Sequence, residues 1–165
     1  MPNKIQEYIV THYKLFKLLF RAVKKGYLHD IGWINSYKTK TPVNKNFQPI
    51  PWVTYSFISY IENRLNKKMS IFEYGSGNST LYFAEKVNHV ISVEHDKEWF
   101  ENLLENIPKN VQLKHCDLQY AGDYCKTIVS TDRKYSIIII DGRDRVNCIL
   151  NSTSSLSQDG VLILD

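Results

Sequence analysis

The residues in this sequence that can do chemistry are a glycine turn and the acids around it. Glu73 stands two residues before Gly75-Ser76-Gly77, Glu94 ends the next apolar run, and Asp141 ends a run of isoleucines. A glycine turn that opens a helix lets backbone come close to a ligand and aims free N–H groups at it. An acid at the tip of the following strand is placed to accept hydrogen bonds from both hydroxyls of a ribose. Met69–Asp96 therefore reads as strand, glycine turn, helix, strand and acidic tip, a cradle for a nucleotide-type cofactor.

The elements that must position these residues follow from the alternation of apolar runs and turn formers. Ile71 and Phe72 lie in a first strand, Asn78 and Ser79 can cap a helix running to about Val87, and Val90–Val93 forms a second strand. Asp96 caps a helix over Lys97–Ile107, with Trp99, Phe100, Leu103, Leu104 and Ile107 on one side. Val111–Leu113 opens a third strand that ends near Cys116-Asp117, and residues 118–134 read as a loop with a short helix around Tyr124–Val129. Tyr135–Ile140 has the two-faced apolar character of a central parallel strand. A helix over about Arg145–Leu156 follows, and Asp159-Gly160 turns into a fifth strand, Val161–Leu164. The pattern predicts an α/β fold, a doubly wound (Rossmann-like), mostly parallel sheet of order 3-2-1-4-5 with right-handed crossovers and N-terminal helices. Its switch point, where ligands bind in such sheets, lies between strands 1 and 4, above Glu73–Gly77 and Asp141.

Upstream, residues 4–25 have helical periodicity. Ile5, Tyr8, Ile9, His12, Phe16, Leu19, Phe20 and Val23 form a stripe, and Lys14, Lys17, Arg21, Lys24 and Lys25 lie mostly off it. Such a helix can lie on a membrane surface, close over a substrate site, or dock on the domain with a solvated basic face; the docked helix is the expectation. Residues 27–50 mix turn formers with aromatics and read as a functional loop or lid. Pro51 suits the first turn of a helix over Trp52–Asn66, with Tyr55, Ile58, Ile61 and Leu65 toward the core. The expected organisation is an N-terminal helix and lid-like segment, 1–50, and a cofactor-binding region, 51–165, within one structural domain.

Composition narrows the function classes. The 165 residues carry a net charge of +4 without a like-charge block, so no nucleic-acid partner is expected. Cys116, Cys125 and Cys148 are odd in number and lack CxxC spacing, which argues against a disulfide framework or zinc knuckle and for inert thiols. Met1–Lys4 does not lead into a signal-peptide core, and no run reaches the roughly 18–20 apolar residues of a membrane span. A cytoplasmic protein with no transmembrane segment is expected.

Two residues choose among nucleotide cofactors. A dinucleotide fingerprint wants a small sixth residue in GxGxxG/A, and GSGNST places Thr80 there. Glu73 would repel a pyrophosphate but suits the cationic amino-acid part of S-adenosylmethionine. FEYGSGNSTLYFA, VISVEHDKEWF, HCD, IIIIDGRDRVN and GVLILD together resemble the class I S-adenosylmethionine-dependent methyltransferases. Small bacterial members related to sugar and polyketide O-methyltransferases are the most similar, and PIPWVTYSFISYI is similar to a segment they carry before the glycine motif. The resemblance covers about residues 30–165.

The resemblance implies S-adenosylmethionine as cofactor, with Glu73, Gly75 and Gly77 around its methionine moiety and Ser76, Asn78, Ser79 and Thr80 as nearby donors. It implies Glu94 on the ribose, His95 and Asp96 beside the adenosine, and Asp117 at the adenine amino group. Asp141 would face the methyl-transfer region, where it would orient a hydroxyl acceptor or take its proton, with Asp144 behind it. Arg143 and Arg145 could hold an anionic acceptor, and Trp99 could stack on adenine or belong to the core. Asp141 and Asp165 also resemble the acid spacing of metal-dependent O-methyltransferases, but the Asn that follows the second acid there has no counterpart, and no metal is expected. The family's strands 6 and 7 have no counterpart either, so an apolar fifth strand would be a sheet edge open to pairing in an oligomer.

The function expected from these readings is O-methylation of a small-molecule or carbohydrate hydroxyl. Competing readings are a non-catalytic cofactor-binding or interaction module, an aminopropyltransferase, and a nicotinamide-dependent enzyme, the last disfavoured by Glu73 and Thr80.

Overall fold

The computed structural model describes residues 4–165, with side chains from Tyr8 onward. The readings of Met1–Asn3 as leaderless, and of Ile5 as part of the apolar stripe, lie outside the described residues. The chain forms two compact units, one up to Pro49 and one from Ile50.

In the first unit, α1 (Lys4–Lys24) is followed by two short helices, α2 (Tyr27–Asp30) and α3 (Trp33–Thr39). Residues 27–50 are thus less irregular than the turn formers suggested. These helices have four and seven residues, too few for periodicity to register. The turn formers act after α3. Asn44 Oδ1 accepts the N–H groups of Asn46 and Gln48 at 2.8 and 3.0 Å, and Val43 bridges to Pro49. Gly32, at φ +86°, lies so close to the Asn44 backbone that a Cβ would sit 2.4 Å from it. Only glycine fits there.

The second unit is a five-stranded parallel sheet of order β3-β2-β1-β4-β5, as the alternation predicts. The strands are β1 (Ser70–Tyr74), β2 (His89–Glu94), β3 (Val111–His115), β4 (Tyr135–Ile140) and β5 (Leu156–Leu164). The helices are α4 (Tyr55–Glu62), α5 (Asn78–Lys86), α6 (Lys97–Leu104), α7 (Asp123–Lys126) and α8 (Arg145–Ser152). Strand side chains alternate between two apolar layers. Ile71, Val90, Ile137 and Ile139 pack with Ile58 and Ile61 of α4 and Phe83 and Ala84 of α5. Phe72, Tyr74, Ile91, Val93, Ile138 and Ile140 pack with Tyr124 and Cys125 of α7 and Cys148 of α8. The sheet is therefore covered on both faces, which is why its central strands can be almost wholly apolar.

Boundaries differ from expectation where side chains cap helices. The helix expected from Trp52 begins at Tyr55, because the Thr54 side chain accepts the Phe57 N–H and so serves as the cap. Asp96 caps α6 as expected, accepting the Trp99 N–H at 3.0 Å. α5 is capped at its start by Gly77 rather than by Asn78 or Ser79. At its other end Lys67 Nζ and Asn110 Nδ2 donate to the carbonyls of Ala84 and Val87, satisfying groups the helix leaves open. β5 starts earlier than Val161. Leu156 already pairs with Tyr135, and residues 157–160 bulge before Val161 pairs with Ile137. α8 stops at Ser152 and passes into a 3-10 turn.

Cys125 and Cys148 are buried and Cys116 is partly buried, and all three are free thiols. Burial pushes the Cys148 thiol up to about 12 and raises that of Cys125, so neither supplies thiolate near neutrality. No helix among the described residues is long and apolar enough to cross a membrane.

Candidate functional site

Two chain turns meet at the switch point of the sheet. One follows β1 and contains Gly75-Ser76-Gly77; the other follows β4 and contains Asp141-Gly142. Asp141 N–H donates to the Tyr74 carbonyl at 3.1 Å, which carries the sheet ladder up to the turns. Gly75 has φ +90°, and a Cβ on it would lie 3.1 Å from the Gly142 nitrogen. A Cβ on Gly142 would in turn fall 2.1 Å from the Tyr124 hydroxyl. Gly75 is required by its positive φ and its close backbone contact with Gly142, and Gly142 because a Cβ would strike the Tyr124 side chain. Gly77 is different: its φ is extended, and a Cβ would meet nothing nearer than Trp99 Cζ2 at 3.8 Å. The protein alone gives no steric reason for glycine at 77.

Above these turns opens a cleft of about 390 Å³ lined by Gly75, Ser76, Ser79, Glu94, His95, Asp141, Gly142, Arg143 and Arg145. Among the residues singled out from sequence as catalytic or cofactor-binding, Gly75, Ser76, Ser79, Glu94, His95 and Asp141 share this cleft. Gly142 was not foreseen as part of it. Its signal was the Asp-Gly pair at the end of β4, whose packing on Tyr124 no local pattern reveals.

Glu94 is 4% exposed and wires the tip of β2 to the glycine turn. Its Oε2 accepts the Ser76 N–H at 3.0 Å and the Ser76 hydroxyl at 2.9 Å. Its Oε1 accepts the backbone N–H groups of His95 and Asp96 at 2.8 and 2.9 Å. The lone pairs of the carboxylate are thus taken up by the protein, and a ribose hydroxyl would replace the Ser76 hydroxyl rather than find a vacant acceptor. Trp99 clamps the same turn from α6. Its indole N–H donates to the Ser76 carbonyl at 2.8 Å while the side chain stays 49% exposed. It is neither a core residue nor free to swing.

Glu73 lies behind the turn, 1% exposed and outside the cleft lining. Its Oε2 accepts the Thr80 hydroxyl at 2.5 Å and the Ser92 hydroxyl at 3.1 Å. Thr80 Oγ1 in turn accepts the Gly77 N–H at 3.1 Å. Thr80 is therefore the middle of a relay from Gly77 to Glu73, which explains a hydroxyl where a dinucleotide site has a small apolar residue. Burial raises the Glu73 carboxyl to about 7, opposed by hydrogen bonds from Ser79, Thr80 and Ser92 and reinforced by the charge of Asp141.

Asp141 lines the opposite wall, its carboxyl raised by partial desolvation and by Asp165 and lowered by Arg145. Arg145 lies 3.7 Å from Asp141, donates through Nε to the Gly142 carbonyl at 3.2 Å, and reaches the Asp165 carbonyl through Nη1. Arg145 is thus engaged within the protein, whereas Arg143 is exposed at the cleft rim. Asp144 does not line the cleft. It is buried at φ +51°, its Oδ2 accepting the Ala121 N–H at 2.8 Å and its Oδ1 the Asn147 amide at 2.6 Å. This clamps the loop after β3 to the start of α8. Asp117, 96% exposed beyond β3, also lies outside the cleft lining, as does Asn78. Among the described residues no group of three or more His, Cys, Asp or Glu side chains is arranged to hold a metal ion.

No protein-family model matches the sequence, and no curated protein matches it. Solved structures do match in three dimensions. Precorrin-8w decarboxylase from Methanobacterium thermoautotrophicum superposes with a TM-score of 0.55 at 15% identity, over 76% of this chain and 69% of the other. The YcgJ protein from Bacillus subtilis gives 0.52 at 18% identity, over 67% of this chain and 50% of the other. A TehB-like S-adenosylmethionine-dependent methyltransferase from Corynebacterium glutamicum gives 0.50 at 15% identity, over 80% and 67%. The chain thus spans half to about two thirds of the length of these structures. At such identities the likeness is one of fold, and the fold is that of the S-adenosylmethionine-dependent methyltransferases.

Proposed function

We propose that the chain binds S-adenosylmethionine in the cleft between the two glycine turns and transfers its methyl group to a hydroxyl of a small molecule, such as a carbohydrate. The observation that carries the reading is Glu94: a buried carboxylate at the tip of β2, joined to the glycine turn and opening on the cleft. A site of this type suits a nucleoside. Glu73 and Thr80 narrow the choice, because a buried acid behind the start of α5 opposes a pyrophosphate but favours an ammonium group. The open space at Gly77, which the protein itself does not need, fits a ligand lying against the backbone.

Glu94 would hold the ribose, His95 and Trp99 would flank the nucleoside, and the Gly75–Ser79 segment would meet the amino-acid part. Bound there, the cofactor supplies a methyl group already activated on a sulfonium, so the protein has mainly to align the acceptor and manage its proton. Asp141 faces the same cleft, and its raised carboxyl is suited to accepting a hydroxyl proton at Oδ. Arg143 at the rim would orient an acceptor that carries a negative group.

Calorimetry with S-adenosylhomocysteine and with NAD tests the cofactor. Binding of the first and not the second is expected, and binding of NAD alone would reject the reading. Glu94→Ala is expected to weaken S-adenosylhomocysteine at least tenfold, the scale of one lost charge-assisted hydrogen bond. Cofactor binding without methyl transfer to any hydroxyl acceptor would leave a non-catalytic binding module.

A further inference from the structure

α1 has an organisation that the proposed chemistry does not use. Every residue from Tyr8 to Lys24 is exposed except Ala22, which is partly so. At 100° per residue, Leu15, Tyr8, Leu19, Val23, Phe16, Ile9 and Phe20 fall within a sector of about 140°. Their exposures run from 44% at Val23 to 70% at Phe16. Lys14, Lys17, Arg21 and Lys24 fall within about 80° on the other side, and Lys25 follows them. Val10 alone interrupts the cationic side. No Asp or Glu occurs between Glu7 and Asp30. His12 lies within the apolar sector, its Nδ1 at 2.8 Å from the Tyr8 carbonyl. Lys24 extends its ammonium over the Phe20 ring, 4.5 Å from its centroid, so the rim between the two sides is also built.

We propose that α1 lies on the surface of an anionic lipid bilayer, its apolar sector in the headgroup–acyl boundary and its cations on lipid phosphates. Both sides of the helix are then satisfied by one occupant. A nucleic acid would engage the cations and leave seven large apolar side chains in water. A second copy, pairing apolar side to apolar side, would cover the apolar residues but leave both sets of cations on the outer faces with no acid to offset them. A bilayer lacking anionic lipid would leave the cations without partners. The helix has 21 residues but is not apolar enough to cross a membrane, so it lies on the surface rather than spanning.

The full chain, floated with vesicles of phosphatidylcholine alone and of phosphatidylcholine mixed with phosphatidylglycerol, gives the test. Association is expected with the mixed vesicles only, and it should weaken as salt is raised. Each cation near an anionic surface contributes about fivefold, so Lys14→Gln, Lys17→Gln and Arg21→Gln combined should cost on the order of a hundredfold. Phe16→Ser with Phe20→Ser should abolish flotation with the thermal midpoint unchanged, since both side chains are exposed. Failure of the unaltered chain to float with mixed vesicles would overturn the proposal. So would undiminished flotation of the phenylalanine variant, which would reduce the effect to charge adsorption. A dimer in vesicle-free solution that this variant dissolves would assign the face to a second copy. Slow amide exchange throughout α1 without vesicles would assign it to the rest of the chain. None of these readouts uses cofactor binding, so the lipid and methyl-transfer readings stand or fall separately.

Discussion

Glu73 is buried and raised to about 7, so near neutrality it is divided between charged and neutral forms. A carboxyl raised on folding binds protons more tightly in the native state than in the unfolded chain. Its contribution to stability is therefore greatest below the unfolded value of 4.5, falls as pH rises toward 7, and is level above that. The linked free energy is on the order of 3 kcal/mol. Glu73→Gln keeps an oxygen for Thr80 and Ser92 and removes the titration. Denaturant unfolding across pH 4.5–7 should then show a declining stability in the parent chain and a shallower decline in the variant, where the raised Asp141 remains. Both carboxylates near the glycine turn were legible in the sequence, but their division of labour was not. Glu94 reaches the cleft while Glu73 sits behind it, and that depends on which face of β1 a residue occupies and on Thr80 meeting it from the next helix.

At the scale of elements, the two glycines of the turn after β1 are equivalent in sequence and unequal in structure. Gly75 is held at positive φ against the Gly142 backbone, whereas Gly77 is extended with room for a methyl group. Gly75→Ala should lower stability by about 1–3 kcal/mol through backbone strain, measured by chemical denaturation. Gly77→Ala should unfold as the parent does yet bind S-adenosylhomocysteine more weakly, measured by calorimetry. Equal loss of binding and stability in both variants would show that the turn acts only structurally. The strands were legible because each is an apolar run ending at a polar tip. The start of α4 was not, since Pro51 offers a helix start and only the Thr54 side chain reveals where the cap is made. The start of β5 was hidden by the bulge at 157–160, whose polar residues resemble a turn.

For the molecule as a whole, the order of the sheet and the position of its switch point followed from the succession of strands and helices alone. The boundary drawn at residue 50 lies beside the division into compact units at Pro49; what did not follow was that the first segment is a compact unit of its own, because the aromatics of residues 27–50 resemble those of a segment packed into a larger core. The local pattern could not report whether the apolar side of α1 has a partner either, since periodicity gives the existence of a face and not its occupant. The cleft lies wholly within the unit from Ile50 onward, so its chemistry and the lipid contact of α1 belong to separate parts of the chain.

The bond from the Trp99 indole to the Ser76 carbonyl turns the glycine turn into an optical transducer. Indole emission responds to both hydrogen bonding and solvent, and this ring is half in water while bonded to a turn that lines the cleft. The remaining tryptophans, Trp33 and Trp52, are 42% and 71% exposed, so replacing them with phenylalanine leaves a single tryptophan at little structural cost. In that background, titration with S-adenosylhomocysteine should shift the emission maximum along the same isotherm that calorimetry follows. Glu94→Ala should remove the spectral change together with the affinity. An unaltered spectrum at saturation would mean that the ligand leaves Ser76 where it is.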